Sequence, residues 1–307
     1  MKGDTIGLVM PAGPVQNEEH FVAGVRLLRE MGFAVKFGQD VPDRKTGYLA
    51  GDDAERAREV HELWADPEVK ALLAVRGGYG CLRTVELLDM ELIRQHPKLF
   101  IGFSDVSVLL AAITKATGLV TFHGPVLTTL TRSDPETIQS FFEALTGRLP
   151  RLIRPGGIEI LASGPLARGR LLGGNLTTLT HLLATPHELS WRNALVFLED
   201  VGEPAYRLDR LLTHLKQAGR LDKLAGLLLG SFHAFHADSG EDSCETADAE
   251  QVWNRALELL GNDHIPIWGN FPVGHGVRNL VLPLGVEAEL DSGNGTLRLL
   301  GPCTAPR

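Results

Sequence analysis

Nowhere in the 307 residues does an apolar run approach the roughly 18 residues that a membrane-spanning helix requires. The first apolar run, Ile6 to Met10, is also too short for the core of a secretion signal, and Asp4 breaks the basic start made by Lys2. Cysteine is scarce. Cys81, Cys244 and Cys303 are odd in number, widely separated and without a Cys-x-x-Cys pair. That spacing speaks against a disulfide framework and a thiolate zinc site, and for a reducing compartment. A cytoplasmic protein is expected. Lysine- or arginine-rich blocks are missing too, and the formal net charge is -8. Nucleic acid and anionic membrane are therefore poor partners. No internal repeat or low-complexity tract interrupts the chain.

What is present is an ordinary globular composition, 44% hydrophobic and 22% charged. The length exceeds most single cores, so two domains are expected. Strand-like apolar runs begin at Ile6, Phe33, Val69 and Leu99. They alternate with helical patterns over Glu18 to Met31, Asp52 to Ala65, Leu82 to Gln95 and Val106 to Thr117. That alternation predicts a parallel sheet with helices on both faces, and sites at the C-terminal ends of its strands. The fold class is thus α/β: a parallel-sheet domain with flanking helices over 1–130, and a mixed α/β domain rich in short strands over 166–307. Thr131 to Pro165 is polar, rich in Pro and Gly, and carries one helix near Glu136 to Leu145. It reads as a linker region, 131–165. Later signals are a helix opened by Gly173-Gly174-Asn175, a strand Ala194 to Leu198 and a helix from Pro204 to Gly219. A strand Leu224 to Gly230, a helix near Ala249 to Leu260 and several short strands from Pro266 to Leu300 complete the pattern.

Three places carry chemistry. At Leu99 to Gly118 a strand runs into a corner, Gly102-Phe103-Ser104-Asp105, and then a helix. A serine there either caps the helix or, at the positive end of its dipole, serves as a nucleophile. Val106 stands where the second glycine of a Gly-x-Ser-x-Gly elbow would be. The loop Arg76-Gly77-Gly78-Tyr79-Gly80 lets backbone amides approach a ligand, or is simply a tight turn. It matches neither a dinucleotide fingerprint nor a P-loop. Glu199 and Asp200 end an apolar strand, and His275 sits between glycines in Pro272-Val273-Gly274-His275-Gly276. Jointly, Ser104, Glu199 and His275 supply a nucleophile, an acid and a base, each at a strand end or in a glycine loop. His233, His236, Asp238 and Cys244 have no helical register that would converge them on a metal, and no metal is expected. His123 reads as structural or as a support behind the site.

Five strings carry a resemblance: Val75-Arg76-Gly77-Gly78-Tyr79-Gly80, Gly102-Phe103-Ser104-Asp105, Gly173-Gly174-Asn175-Leu176, Phe197-Leu198-Glu199-Asp200, and Gly274-His275-Gly276 with Leu282-Pro283-Leu284-Gly285. They resemble those of the LD-carboxypeptidases, the serine peptidase family that includes muramoyltetrapeptide carboxypeptidase and the microcin C self-immunity hydrolases. The resemblance implies Ser104 as nucleophile, Glu199 as acid and His275 as base. It implies an oxyanion hole from the amides of Gly78 and Asp105, with the choice between Gly77 and Gly78 left open. Arg76, Gly77 and Asn175 are expected substrate contacts. One departure is Ser107, where a threonine is frequent.

The implied activity is release of the terminal D-alanine from a murein tetrapeptide during cell-wall recycling. It would use an N-terminal nucleophile domain, a C-terminal domain donating Glu and His, no cofactor, and commonly a homodimer. The alternative within the family is hydrolysis of a peptidyl-nucleotide antibiotic, which would want an aromatic such as Trp191 or Trp268 to stack on the base. Outside it, two α/β lobes also suit a non-catalytic sugar- or peptide-binding module.

Overall fold

The computed structural model describes residues 3–235, 244–246, 249–261 and 263–303. Its strands, in chain order, begin with β1 (Thr5–Val9), β2 (Ala34–Lys36), β3 (Val69–Ala74), β4 (Leu99–Gly102) and β5 (Thr121–His123). Next come β6 (Leu152–Ile153), β7 (Glu159–Ala162), β8 (Ala167–Asn175), β9 (Ala194–Val201) and β10 (Gly226–Phe235). The last are β11 (Cys244–Thr246), β12 (Ile267–Gly269), β13 (Leu282–Leu284), β14 (Glu287–Asp291) and β15 (Thr296–Leu299). The first sheet has the order β13-β5-β4-β3-β1-β2, and β1 to β5 run parallel to one another. The second has nine strands in the order β6-β15-β14-β8-β9-β10-β12-β7, with β11 beside β10.

Both faces of the first sheet are covered, as its near-continuous apolar strands require. On one face Ile6, Leu8 and Leu73 pack with Phe21 and Leu28 of the helix Glu18–Glu30. On the other, Val9, Leu72 and Phe100 meet Trp64 and the helix Ser107–Thr117. That helix is apolar nearly all round, with Val108 through Ile113 buried, because it lies between the domains. The same core continues into Leu195, Leu227 and Leu290 of the second sheet.

Two placements differ from the sequence pattern. The run at Leu282 does not join the C-terminal strands; as β13 it crosses back and pairs antiparallel with β5 at the edge of the first sheet. The pattern over Leu82 to Gln95 is two helices, Cys81–Thr84 and Met90–Gln95, joined by a 3-10 turn. Leu88 is extended, and the Asp89 carboxylate accepts from the amides of Glu91 and Leu92, which restarts the helix. In the stretch read as a linker, the helix Pro135–Leu145 places Phe141, Ala144 and Leu145 in the first domain's core. β6 and β7 of that stretch belong to the second sheet. No helix among the described residues is long and apolar enough to cross a membrane.

The loop leaving β1 is held by charged groups of the helix Asp53–Ala65. Glu59 accepts the Met10 amide at 2.6 Å. Arg56, fully buried, donates to the Pro11 carbonyl and to Thr84 Oγ1, both at 2.6 Å, and pairs with Asp53. A buried acceptor left without its donor costs free energy that water cannot restore. Replacing Arg56 with Met should therefore lower unfolding stability by about 3 kcal/mol. Denaturant unfolding checks this, and a loss near zero would mean that the Pro11 carbonyl finds another donor.

Candidate active site

β4 stops at Gly102 because the chain must turn there against Val106; a Cβ at 102 would lie 2.6 Å from Val106 Cγ1. Phe103 is extended, and Ser104 then takes φ +61°, the left-handed region that a side chain rarely occupies. A single 3-10 turn, Ser104–Val106, leads into the helix Ser107–Thr117. No side chain caps either the turn or the helix. The Ser104 hydroxyl is thus not used as an N-cap, and its side chain is half-buried.

The glycine loop after β3 presses directly on this corner. A Cβ at Gly77 would lie 2.7 Å from Ser104 Cβ and 2.8 Å from its Oγ, so only glycine fits. The Gly77 carbonyl accepts from the Gly13 amide at 3.0 Å. Across the trans peptide the Gly78 amide points the opposite way. From the corner's side, the Asp105 carboxylate accepts the Cys81 amide at 2.8 Å and ties the loop's end to the serine turn. Burial pushes the Asp105 carboxyl up, against the opposing effect of the Cys81 bonds and the Arg56 charge.

The second domain brings the other two groups. Glu199, on β9, is fully buried, and its Oε2 lies 2.7 Å from His275 Nδ1. Burial would raise this carboxyl, but the charge and hydrogen bond of His275, with the charge of His123, outweigh it and hold it below its ordinary value. Gly274 has φ +124°, and a Cβ there would sit 2.1 Å from Ser231 Oγ, so the loop closes on Glu199 only with glycine. The His275 ring lies against Phe103, tilted at 51° with centroids 4.6 Å apart, which sets it beside the residue preceding Ser104. The structure therefore pairs Glu199 with His275 directly and sets His275 against Phe103, the residue before Ser104.

Asp200 points to the opposite face of β9, as strand alternation demands. It accepts from Asn175 Nδ2 at 3.0 Å, from the Thr177 amide at 2.8 Å and from Thr177 Oγ1 at 2.7 Å. The helix start it serves is Leu176–His181, the one opened by Asn175. Burial, followed by the Glu199 charge, raises its pKa to about 6. Asn175, expected as a substrate contact, caps that helix with its Oδ1 at the Thr178 amide and holds Asp200 with its Nδ2. Ser107, the departure noted in the sequence, accepts the Asn175 amide at 3.2 Å. Its Oγ lies 2.7 Å from where a Cβ of Gly174 would be.

One participant had no signal in the sequence. Asn279 Oδ1 accepts from His123 Nε2 at 2.9 Å and from the Gly274 amide at 3.1 Å. It links the end of β5 to the residue before His275. His123 is fully buried between Phe103 and Phe197. Trp191 and Trp268 are both core residues, the latter donating to Ser292 Oγ at 2.9 Å. Among the described residues no three His, Cys, Asp or Glu side chains group to hold a metal. His236 and Asp238, and the side chains of His233 and Cys244, lie outside the described residues.

Models of the LD-carboxypeptidase N-terminal and C-terminal domains match residues 6–124 and 168–290. The probable murein peptide carboxypeptidase of Bacillus subtilis is 37% identical over 96% of this chain and 91% of its own. A solved muramoyltetrapeptide carboxypeptidase from Oxalobacter formigenes superposes with a TM-score of 0.77 at 30% identity, over 96% of this chain and 97% of that one. The microcin C7 self-immunity protein MccF, solved in complex with aspartyl sulfamoyl adenosine, gives a TM-score of 0.87 at 28% identity, over 99% and 98%.

Burial in its aromatic sleeve lowers the His123 pKa to about 4, against the charge of Glu199. The unfolded chain takes up this proton below about pH 6.5 and the folded chain does not. The site thus contributes stability on the order of 3 kcal/mol above pH 6.5, lost as the pH falls toward 4. Asp200 acts in the opposite sense, since a folded chain with a raised carboxyl pKa takes up its proton first on acidification. An NMR titration of the imidazoles should find His123 neutral down to about pH 4. A midpoint near 6.5 would show that the sleeve is open to water.

Proposed function

The chain belongs to the LD-carboxypeptidase family of serine-type hydrolases, and on that premise we propose that it removes the terminal D-alanine of a murein tetrapeptide by hydrolysing an L,D-peptide bond. The observation that carries this reading is the 2.7 Å contact of His275 with buried Glu199, beside a serine held in a left-handed corner. The names of the Bacillus and Oxalobacter relatives supply the substrate class.

In this reading His275 takes the Ser104 proton through Nε2 while Oγ attacks the scissile carbonyl. Glu199, accepting from Nδ1–H, fixes the tautomer and stabilises the imidazolium. The amides of Gly78 and Asp105 hold the oxyanion, each worth about 3 kcal/mol in the transition state. Gly78 is preferred to Gly77 as donor because its amide lies on the side of the peptide away from Gly13. The imidazolium returns its proton to the departing amine of D-alanine and leaves an acyl-Ser104, which water activated by His275 resolves. These steps require neither metal nor cofactor. A cytoplasmic setting accords with the free thiols of Cys81 and Cys303.

The likeness to MccF supports a second reading, hydrolysis of a peptidyl-nucleotide. With Trp191 and Trp268 buried, stacking on a base would fall to Tyr48 and Tyr79, which are exposed and edge-to-face at 5.6 Å.

Incubation with a defined murein tetrapeptide should release one alanine by mass spectrometry, and a peptidyl-nucleotide should turn over far more slowly. The reverse order would favour the second reading. Ser104→Ala should lose release without losing its unfolding transition; a rate near wild type would remove Ser104 from the mechanism. Glu199→Gln keeps the shape but frees the imidazole to take the wrong tautomer, and kcat should fall by about 10⁴. Asp200→Asn sets an amide against several donors, so it should cost about 2 kcal/mol of stability and little rate. If Asp200→Asn were the inactive variant and Glu199→Gln the active one, the acid would be Asp200.

A further inference from the structure

One cation in the cleft lacks a counterion. Arg76 leaves β3 at the start of the glycine loop, half-buried, and its Nη1 has one neutral acceptor, the Pro14 carbonyl at 3.3 Å. It forms no ion pair among the described residues, although Asp and Glu outnumber Lys and Arg, 38 to 30. Elsewhere Arg44, Arg56, Arg83, Arg220 and Arg255 all meet carboxylates. The loss of hydration that acts on this guanidinium is offset by no charge.

Arg76 lies in the wall of a cavity of about 700 Å³ shared with Gln16, Lys45, Tyr48 and Tyr79. No acid lines that cavity, and Lys45 adds a second positive charge to it. Gly78 also belongs to its wall, and a Cβ there would lie 3.2 Å from Arg76 Nη1. The guanidinium therefore rests against the peptide whose neighbour, Gly77, touches Ser104.

In a substrate cut one residue from its end, the terminal carboxylate sits one residue beyond the scissile carbonyl, about 3.8 Å along the chain. A group that recognises it must lie next to the oxyanion donors. We propose that Arg76 binds the terminal carboxylate of the leaving amino acid and so restricts the enzyme to the free C-terminal end of its substrate. The planar fork of a guanidinium matches a carboxylate bidentately, which a lone Pro14 carbonyl does not use. Lys45 supplies further positive potential at the cavity's rim. This assignment rests on the carboxypeptidase reading for its reaction, but its chemistry, an anion one residue from Ser104, is separately testable.

Two murein tetrapeptides, one ending in D-alanine and one in D-alaninamide, give the measurement. Wild type should favour the free acid by about 100-fold in kcat/KM, and Arg76→Met should reduce that ratio to a few-fold. Arg76→Lys, which keeps the charge without the fork, should fall between them. Unfolding midpoints show whether each variant is folded. A second readout is independent of turnover: the rate at which a fluorophosphonate labels Ser104. N-acetyl-D-alanine should slow labelling of the wild type and N-acetyl-D-alaninamide should not; Arg76→Met should respond to neither. If wild type cleaved neither peptide while selective protection held, the murein reading would fall and the Arg76 assignment would stand. Equal cleavage of acid and amide, an unchanged ratio in folded Arg76→Met, or equal protection by the two ligands would overturn the assignment.

Discussion

A pairing of only three residues on each side holds the halves of the site in register. Leu282, Pro283 and Leu284 lie opposite His123, Phe122 and Thr121, so the chain leaves the second domain, crosses to the first sheet and returns. β13 is an edge strand, which is what allows a proline in its middle. The crossing is fastened again beside the pairing: Val281 joins the first domain's core and its amide donates to Ser140 Oγ. Asn279 meets His123 and the Gly274 amide with one oxygen. His275 is carried by a loop of the second domain, yet its position is set from the first. The helix Ser107–Thr117, which starts at the serine corner, is buried against both sheets. Movement of one domain against the other would have to break this seam.

The two acids at the end of β9 show how one strand serves two purposes. Both are almost fully buried, where an ionised carboxylate is costly unless it is met by donors or a cation. Glu199 has the imidazole. Asp200 has the donors of a helix start, and its carboxyl still titrates higher, through burial first and then the charge of neighbouring Glu199. The opposite shifts follow from the opposite faces. One carboxylate faces His275 at 2.7 Å, while the other fixes Asn175 and Thr177 at the mouth of β8.

The parallel first domain was legible because it is local: strand, helix and stop recur, and each cap is written next to the helix it serves. Gly118 ends its helix where the pattern puts the stop, and the helices read from Glu18 and Asp52 begin within one residue of their caps, Asn17 and Asp52. The strings around Ser104, Glu199 and His275 were legible because each needs glycine or a strand end. What could not be read is contact at long range. Nothing in Leu282-Pro283-Leu284 distinguishes an edge strand of the first sheet from one more short strand of the second. Nothing near Arg278 marks Asn279 as the partner of His123, 156 residues away. The break at Leu88 was missed for a different reason: apolar periodicity continues through it, and only the capping choice of Asp89 interrupts the helix. Asn175 stood out in its motif, but nothing in that motif shows that its amide also bonds Asp200 and the Thr178 amide.

The serine corner itself is a strained element, and the contacts around it explain why it persists. A side-chain-bearing residue at φ +61° costs of order 1–3 kcal/mol and survives only when the surroundings over-determine it. Here they do so from three directions. Gly102 and Val106 close the turn from within, through the Val106 amide on the Phe103 carbonyl. Asp105 binds the end of the glycine loop at Cys81, so relaxing Ser104 would release the loop as well. Ser107, three residues on, holds the amide of Asn175 and so anchors the helix start to β8. Relaxation of one dihedral would therefore disturb the glycine loop, the corner and the second sheet together, at a cost in buried hydrogen bonds comparable to the strain it would relieve. Ser104 is held in a backbone conformation it would not choose alone, with Gly77 closed against its side chain.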